Sequence, residues 1–194
     1  LVQDARRHGV VVLPVDVCRS DYECTLEPGK GEGGRGKGKT DGMAIDSEVV
    51  ERGAAAPRSS LFPLPPSRFS EKPALRLGLQ MIKGLSEAGA HRIVAARAAS
   101  GFASVEELAR RAQLDARDLK ALAAAGALAS LADHRRLAYW DVAGVQTRPH
   151  LLRDAPVAET RPALAAPHEA EDLVADYASI GLTLGRHPLA LMRP

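Results

Sequence analysis

Aromatic residues make up only 4% of the 194-residue chain, and there are just two cysteines, Cys18 and Cys24. Two cysteines cannot supply a disulfide framework, and no histidine cluster stands near them to complete a zinc site, so they read as free thiols of a reducing compartment. No apolar run approaches the roughly 18 residues of a membrane span, and no signal peptide is visible; a cytoplasmic location is expected. The excess of positive charge is small, a net +2 with a pI near 8.7, which points only mildly to an anionic partner. What is present is alanine and leucine, within a 45% hydrophobic share that favours small helices packed closely. The length suits one ordinary domain or two small ones.

The first nine residues, LVQDARRHG, read as the end of a helix closed by Gly9, with Arg6, Arg7 and His8 in the last turn. The chain begins without methionine and already inside a helix, so a fragment is expected. VVVLPVDV follows as an edge strand or extended entry interrupted by Pro14. In RSDYECTLE, Tyr22, Cys24 and Leu26 alternate onto one face, as in a strand.

Between residues 28 and 73 the composition shifts to Gly, Lys, Arg, Ser and Pro without apolar periodicity. Such a tract cannot bury enough surface to offset its ordering entropy, and it reads as a disordered insertion. Inside it, GGRGKGKT, Gly33 to Thr40, fits the phosphate-loop pattern formally. The phosphate-loop mechanism needs a buried strand before and a helix after. PGKGE precedes and DGMAIDSEVVERG follows, so neither is present. A lysine- and glycine-rich tract generates the pattern by chance. LFPLPPSRF near its end is extended and suits a linker.

Order is expected again from Ala74. ALRLGLQMI alternates, with Leu75, Leu77, Leu79 and Met81 on one face, and reads as a strand pairing with residues 22–26. Four helices follow: about 86–98; one opening on the box formed by Ser104 and Glu107, with Val105, Leu108, Ala109 and Ala112 inward; one capped by Asp115 and stopped by Gly126; and one from about Leu128 through Trp140. Residues 144–168 read as a linker. The last unit, 169–194, is a helix with Leu173, Val174, Tyr177 and Ile180 on one face, ended by Gly181, and a turn.

The chemistry-bearing feature is Lys83-Gly84-Leu85-Ser86, between an apolar segment and a helix. In a helix-hairpin-helix, a Gly-hydrophobic-Gly turn plugs its apolar residue between two helices and offers backbone N–H groups to a DNA phosphate without reading sequence. Gly84 and Leu85 fit; Ser86 stands where the second glycine is usual. Lys83 and Arg92 are candidate phosphate contacts, and Gln113-Leu114-Asp115 is a candidate second, degenerate hairpin. The alternative is that both turns only pack helices. His134, Arg135 and Arg136 form a basic cluster that is either a further nucleic-acid contact or a solvated face. His187 before Pro188 reads as a turn histidine, and Tyr139 and Trp140 as core or interface anchors. Asp16, Asp21 and Glu23 lie near strands, but no metal site is assigned to them and no catalytic residue to the chain.

Taken together, RRHGVVVLPVDVCRSDYECTLE, ALRLGLQMIKGLSEAGAHRIVAAR, GFASVEELARRAQL, LKALAAAGALASLADHRRLAYW and ADYASIGLTLGRHPLALMR resemble, in order and spacing, the bacterial C-family DNA polymerases of the polymerase III alpha type. Gly-Leu-Ser at 84–86 favours the error-prone branch. The resemblance implies an α+β, mainly α fragment. Residues 1–27 would end the fingers region, 74–143 would carry a strand and the tandem helix-hairpin-helix module, and 169–194 would approach an OB domain. The tract 28–73 has no counterpart in this resemblance.

The resemblance also places the family's catalytic aspartates, with the Mg²⁺ they use, outside this chain. It implies DNA as partner, a primer-template duplex held at Lys83, Gly84, Leu85, Ser86, Arg92, Arg135 and Arg136. It further implies damage-induced, translesion synthesis by the parent and accessory mutasome proteins that link it to the sliding clamp. No clamp-binding motif of the Gln-x-x-Leu-Phe kind stands in residues 141–172. Two rivals belong to other classes: a stand-alone helix-hairpin-helix binding module without activity, and a scaffold whose basic tract docks a protein.

Overall fold

The computed structural model describes residues 2–28, 73–145 and 161–192. The tract 29–72, with the GGRGKGKT pattern and the proline-rich run, and residues 146–160 of the expected linker lie outside the described residues.

The N-terminal helix α1, Val2–Arg7, ends as its sequence dictates: Gly9 takes a positive φ of 77°, and the N–H of Val10 returns to the carbonyl of Ala5 at 2.9 Å. Three short strands follow, β1 (Val11–Leu13), β2 (Thr25–Glu27) and β3 (Ala74–Arg76). They form one sheet in the order β1-β3-β2, with β1 parallel and β2 antiparallel to the central β3. The strand at Ala74 therefore pairs on both sides, and its antiparallel partner is 25–27 rather than 22–26, in the register Leu26 opposite Leu75.

The expected strands are cut short, by a local turn at one place and by a crossing segment at another. Asp16 folds the chain back on itself: its carboxylate accepts the Cys18 N–H at 2.8 Å and its carbonyl the Ser20 N–H at 2.7 Å. Beyond Leu77, Gly78 lets the segment at Tyr22 and Glu23 cross over it; a Cβ there would stand 2.4 Å from the Glu23 carbonyl carbon. The chain then tightens into a 3-10 turn, Leu79–Met81. Arg76, buried on β3, is neutralised across the sheet by Glu27 and donates to the Pro14 carbonyl at 3.1 Å.

The helical part is α2 (Glu87–Ala99), α3 (Val105–Arg111), α4 (Ala116–Ala124), α5 (Ala129–Ala132), α6 (Arg135–Gly144), α7 (Glu169–Ser179) and α8 (Pro188–Leu191). Ser86, Ser104 and Asp115 cap α2, α3 and α4, each side chain accepting the N–H of the residue three positions on. Glu107 reaches one residue past the expected box, to the Ala103 N–H at 2.8 Å. The expected helix from Leu128 to Trp140 is two helices. Asp133 breaks it with φ 57°, and the imidazole of His134 starts the next by accepting the Leu137 N–H at 3.3 Å.

The core is aliphatic, as the composition requires. Leu79, Ile93, Leu108, Leu122 and Leu128 are its largest fully buried side chains, and buried alanines such as Ala90, Ala109, Ala123 and Ala138 fill in between. Trp140, expected as a core or interface anchor, is 49% exposed and so lies outside the core. Helix α7 departs most from its apolar pattern, since Val174 is 67% exposed and Ser179 is buried. The inward side of α7 carries Asp172, Asp176 and Ser179, and it meets the rest of the molecule through charge rather than leucine.

Candidate nucleic-acid interface

Two turns of the same construction carry the site. In the first, Gly84 is left-handed (φ 88°), Leu85 packs half-buried against the core, and Ser86 caps α2. In the second, Gln113 is left-handed (φ 49°), Leu114 packs likewise, and Asp115 caps α4. In both the chain enters on a helical turn, reverses through one positive-φ residue, plugs a leucine inward and starts the next helix. The first turn lies against α4: a Cβ on Gly84 would stand 3.9 Å from that of Ala121.

A single carboxylate joins the turns. Asp118, in the first turn of α4 and 2% exposed, accepts the Ser86 N–H and the Ser86 hydroxyl, both at 2.8 Å. The Ser86 oxygen in turn accepts the Gly89 N–H at 3.0 Å. Room for the carboxylate exists because residue 89 is glycine; a Cβ there would stand 2.4 Å from Oδ2 of Asp118. On the α4 side, the Asp118 N–H donates to Asp115 at 2.7 Å.

The structure brings Lys83, Gly84, Leu85, Ser86 and Arg92 together and sets Arg135 and Arg136 apart. Lys83 is exposed; its N–H donates to the Ser179 carbonyl at 2.8 Å and its ammonium to the Tyr177 carbonyl at 3.1 Å. Arg92 bridges to the second turn, donating to the carbonyls of Ala112 (2.8 Å) and Gln113 (3.3 Å), with Asp118 at 3.9 Å. Arg135, its side chain 11% exposed, is fastened to Asp172 and, at 2.6 Å, to Asp176 on α7. Arg136 pairs with Glu171 at 2.7 Å and donates to the Ala165 carbonyl at 3.2 Å. The ordinarily acidic Glu171 is pushed further down, first by the His168 N–H that it accepts and then by Arg136. His187 caps α8, accepting the Leu189 N–H at 3.2 Å.

Sequence reasoning missed Asp118, which reads as an ordinary acid in the first turn of a helix. The signal for it was Gly89, an isolated glycine inside a helical pattern, which marks a close approach. Among the described residues no group of three or more His, Cys, Asp or Glu side chains converges as metal ligands. No helix among them is long and apolar enough to cross a membrane.

The doubled turn is that of a helix-hairpin-helix, and the family model described as "Helix-hairpin-helix motif" matches residues 9–138. The chain belongs to this family. Along its whole length it is similar to proteins named error-prone DNA polymerase: 48% identical over 195 residues to that of Burkholderia pseudomallei, 48% over 193 to that of Aromatoleum aromaticum, and 44% over 194 to that of Alkalilimnicola ehrlichii. Each match covers 100% of this chain, the tract 28–73 included, and 15% of the relative. The chain thus spans about 15% of the length of these curated relatives.

Proposed function

We propose that the chain is the tandem-hairpin segment of an error-prone, DNA-directed DNA polymerase and that it holds primer-template duplex by its backbone, without reading sequence. The observation that carries this reading is the pair of congruent turns, Gly84-Leu85-Ser86 and Gln113-Leu114-Asp115, held in fixed relation by Asp118. Two equivalent turns locked side by side form a rigid element able to meet successive phosphates of one backbone, which positions a duplex and carries no base information. The relatives' printed name supplies the parent activity.

In that parent, deoxynucleotides are added at a primer end with Mg²⁺ held elsewhere, in damage-induced translesion synthesis in the cytoplasm. Accessory mutasome proteins bring the enzyme to the sliding clamp. Within the expected contact set, Lys83 and Gly84 lie at the exposed tip of the first turn and meet phosphate. Leu85, Ser86 and Arg92 act by fixing the turn, and Arg135 and Arg136 by fixing α7.

The test is fluorescence anisotropy of the intact chain with labelled duplexes of unrelated sequence across a salt series. The reading predicts equal affinities for both duplexes and a log affinity that falls linearly with log salt concentration. No binding at about 50 mM salt, where phosphate contacts are strong, or a marked preference for one sequence, contradicts it.

A further inference from the structure

The first turn presents a seat for an anion, and the protein fills that seat itself. The Ser86 N–H and hydroxyl, the space left by Gly89 and the nearby Arg92 guanidinium all face the carboxylate of Asp118. Lys83 is partly spent on the end of α7, and Arg135 and Arg136 are paired with its acids. Further phosphate-neutralising charge beyond Lys83 must come from elsewhere, and cations without an intramolecular ion pair are the candidates.

Helix α4 stands out. Its inward side is Asp118, Leu119, Leu122 and Ala123; its exposed residues are Ala116, Arg117 and Lys120. Arg117 and Lys120, three positions apart, share a face and make no ion pair among the described residues. Among the described helices, α4 is the one whose exposed residues include cations and no acid; α1 exposes Asp4, α2 Glu87, α3 Glu106 and α7 Glu169. Asp115, just before it, has a carboxylate oxygen committed to the cap. Ala121, on the Arg117 side of the helix, is the residue against which Gly84 lies. Small neighbours, Ala116 and Ala124, leave the two cations unobstructed.

Resting on the reading above, we infer that Arg117 and Lys120 of α4 form the principal phosphate-neutralising pair of the module, and that they engage the DNA backbone alongside the exposed tip of the first turn. The turns set the geometry; α4 supplies the charge. The partner chemistry is that of a phosphodiester backbone, two charges within one helical turn of α4.

The experiment is the salt titration of duplex binding by the intact chain and by Arg117→Ala/Lys120→Ala. The double variant should flatten the slope of log affinity against log salt by about 1.8 and lower affinity on the order of fiftyfold at about 0.1 M salt, two contacts at about 0.9 each. Arg117→Lys/Lys120→Arg should restore the slope, and Arg186→Ala, which removes a charge already paired with Glu169, should leave it unchanged. Circular dichroism and thermal melting confirm that each variant is folded, as substitution at exposed positions predicts. Wild-type binding with an unchanged slope in the folded double variant overturns the inference and leaves the duplex-binding reading standing. Failure of the wild-type chain to bind duplex overturns both.

Discussion

Asp118 and Ser86, 32 positions apart in sequence, are joined twice, by an N–H and by a hydroxyl, both 2.8 Å from the same carboxylate. This contact fixes the start of α2 to the start of α4 and sets the spacing of the two hairpins. Replacing Asp118 with alanine removes the tie and two hydrogen bonds to a charged acceptor, freeing the Ser86 N–H and hydroxyl to meet water. A total loss on the order of 2 kcal/mol, that of hydrogen bonds to a charged group, is expected, measured by urea denaturation. Asp118→Asn, which keeps one acceptor, should cost less. A loss below about 0.5 kcal/mol, the range of inert surface changes, would show that the tie does not hold the hairpins.

Gln113 sits at φ 49° where the first hairpin uses glycine. A side chain in the left-handed region costs about 1 kcal/mol, partly offset by the entropy that glycine adds to the unfolded chain. Gln113→Gly should therefore stabilise the protein slightly, by a few tenths of a kcal/mol up to about 1. Gly84→Ala, at φ 88°, should destabilise it. Thermal melts of the two variants moving in the same direction would refute the congruence of the turns.

Arg135 fastens α7 through Asp172 and Asp176, themselves partly solvated. Removing the arginine leaves two acids facing a half-buried seam, and a loss on the order of 2 kcal/mol is expected, below that of a fully buried pair because water screens the acids. Hydrogen exchange should rise across 169–179 in Arg135→Ala while Ile93 and Leu108, at the centre of the core, stay protected. Uniform loss of protection would mean that α7 is not a separable layer.

Glu107 is held below the usual carboxylate value of 4.5, first by the Ala103 N–H and then by Arg111. Its folded-state value lies below its unfolded one, so its contribution is present above about pH 4.5 and is lost as pH falls through the lower, folded value. The start of α3 should fray in acid, and Glu107→Gln should remove that part of the pH dependence. An acid transition identical in the wild type and Glu107→Gln would contradict this role for the carboxylate.

The helical half of the fold was legible because its signals are local: Ser86, Ser104 and Asp115 announce their helices, and Gly84, Gly126 and Gly181 take the positive φ their positions suggest. Lengths failed where a polar residue turns the chain or a distant segment crosses it. The Asp16 turn and the crossing at Gly78 cut the strands short, and Asp133, an ordinary polar residue by sequence, splits a helix. The turn at 83–86 was visible as a hairpin. That its anion seat is filled depends on Asp118 meeting Gly89 across two helices, which periodicity does not encode. The ionic face of α7 was hidden by Val174 and Tyr177, whose helical spacing mimics a core stripe while both lie exposed.

The central claim is that the hairpin face meets DNA as a backbone reader. Its most direct test is an amide chemical-shift titration of the intact, isotope-labelled chain with a short duplex. The account predicts shifts concentrated at Gly84, at Gln113 and from Asp115 to Lys120, unchanged in pattern when the duplex sequence is changed. Shifts confined to α7 and the exposed face of α6 around Trp140, or a pattern that depends on the duplex sequence, would contradict it.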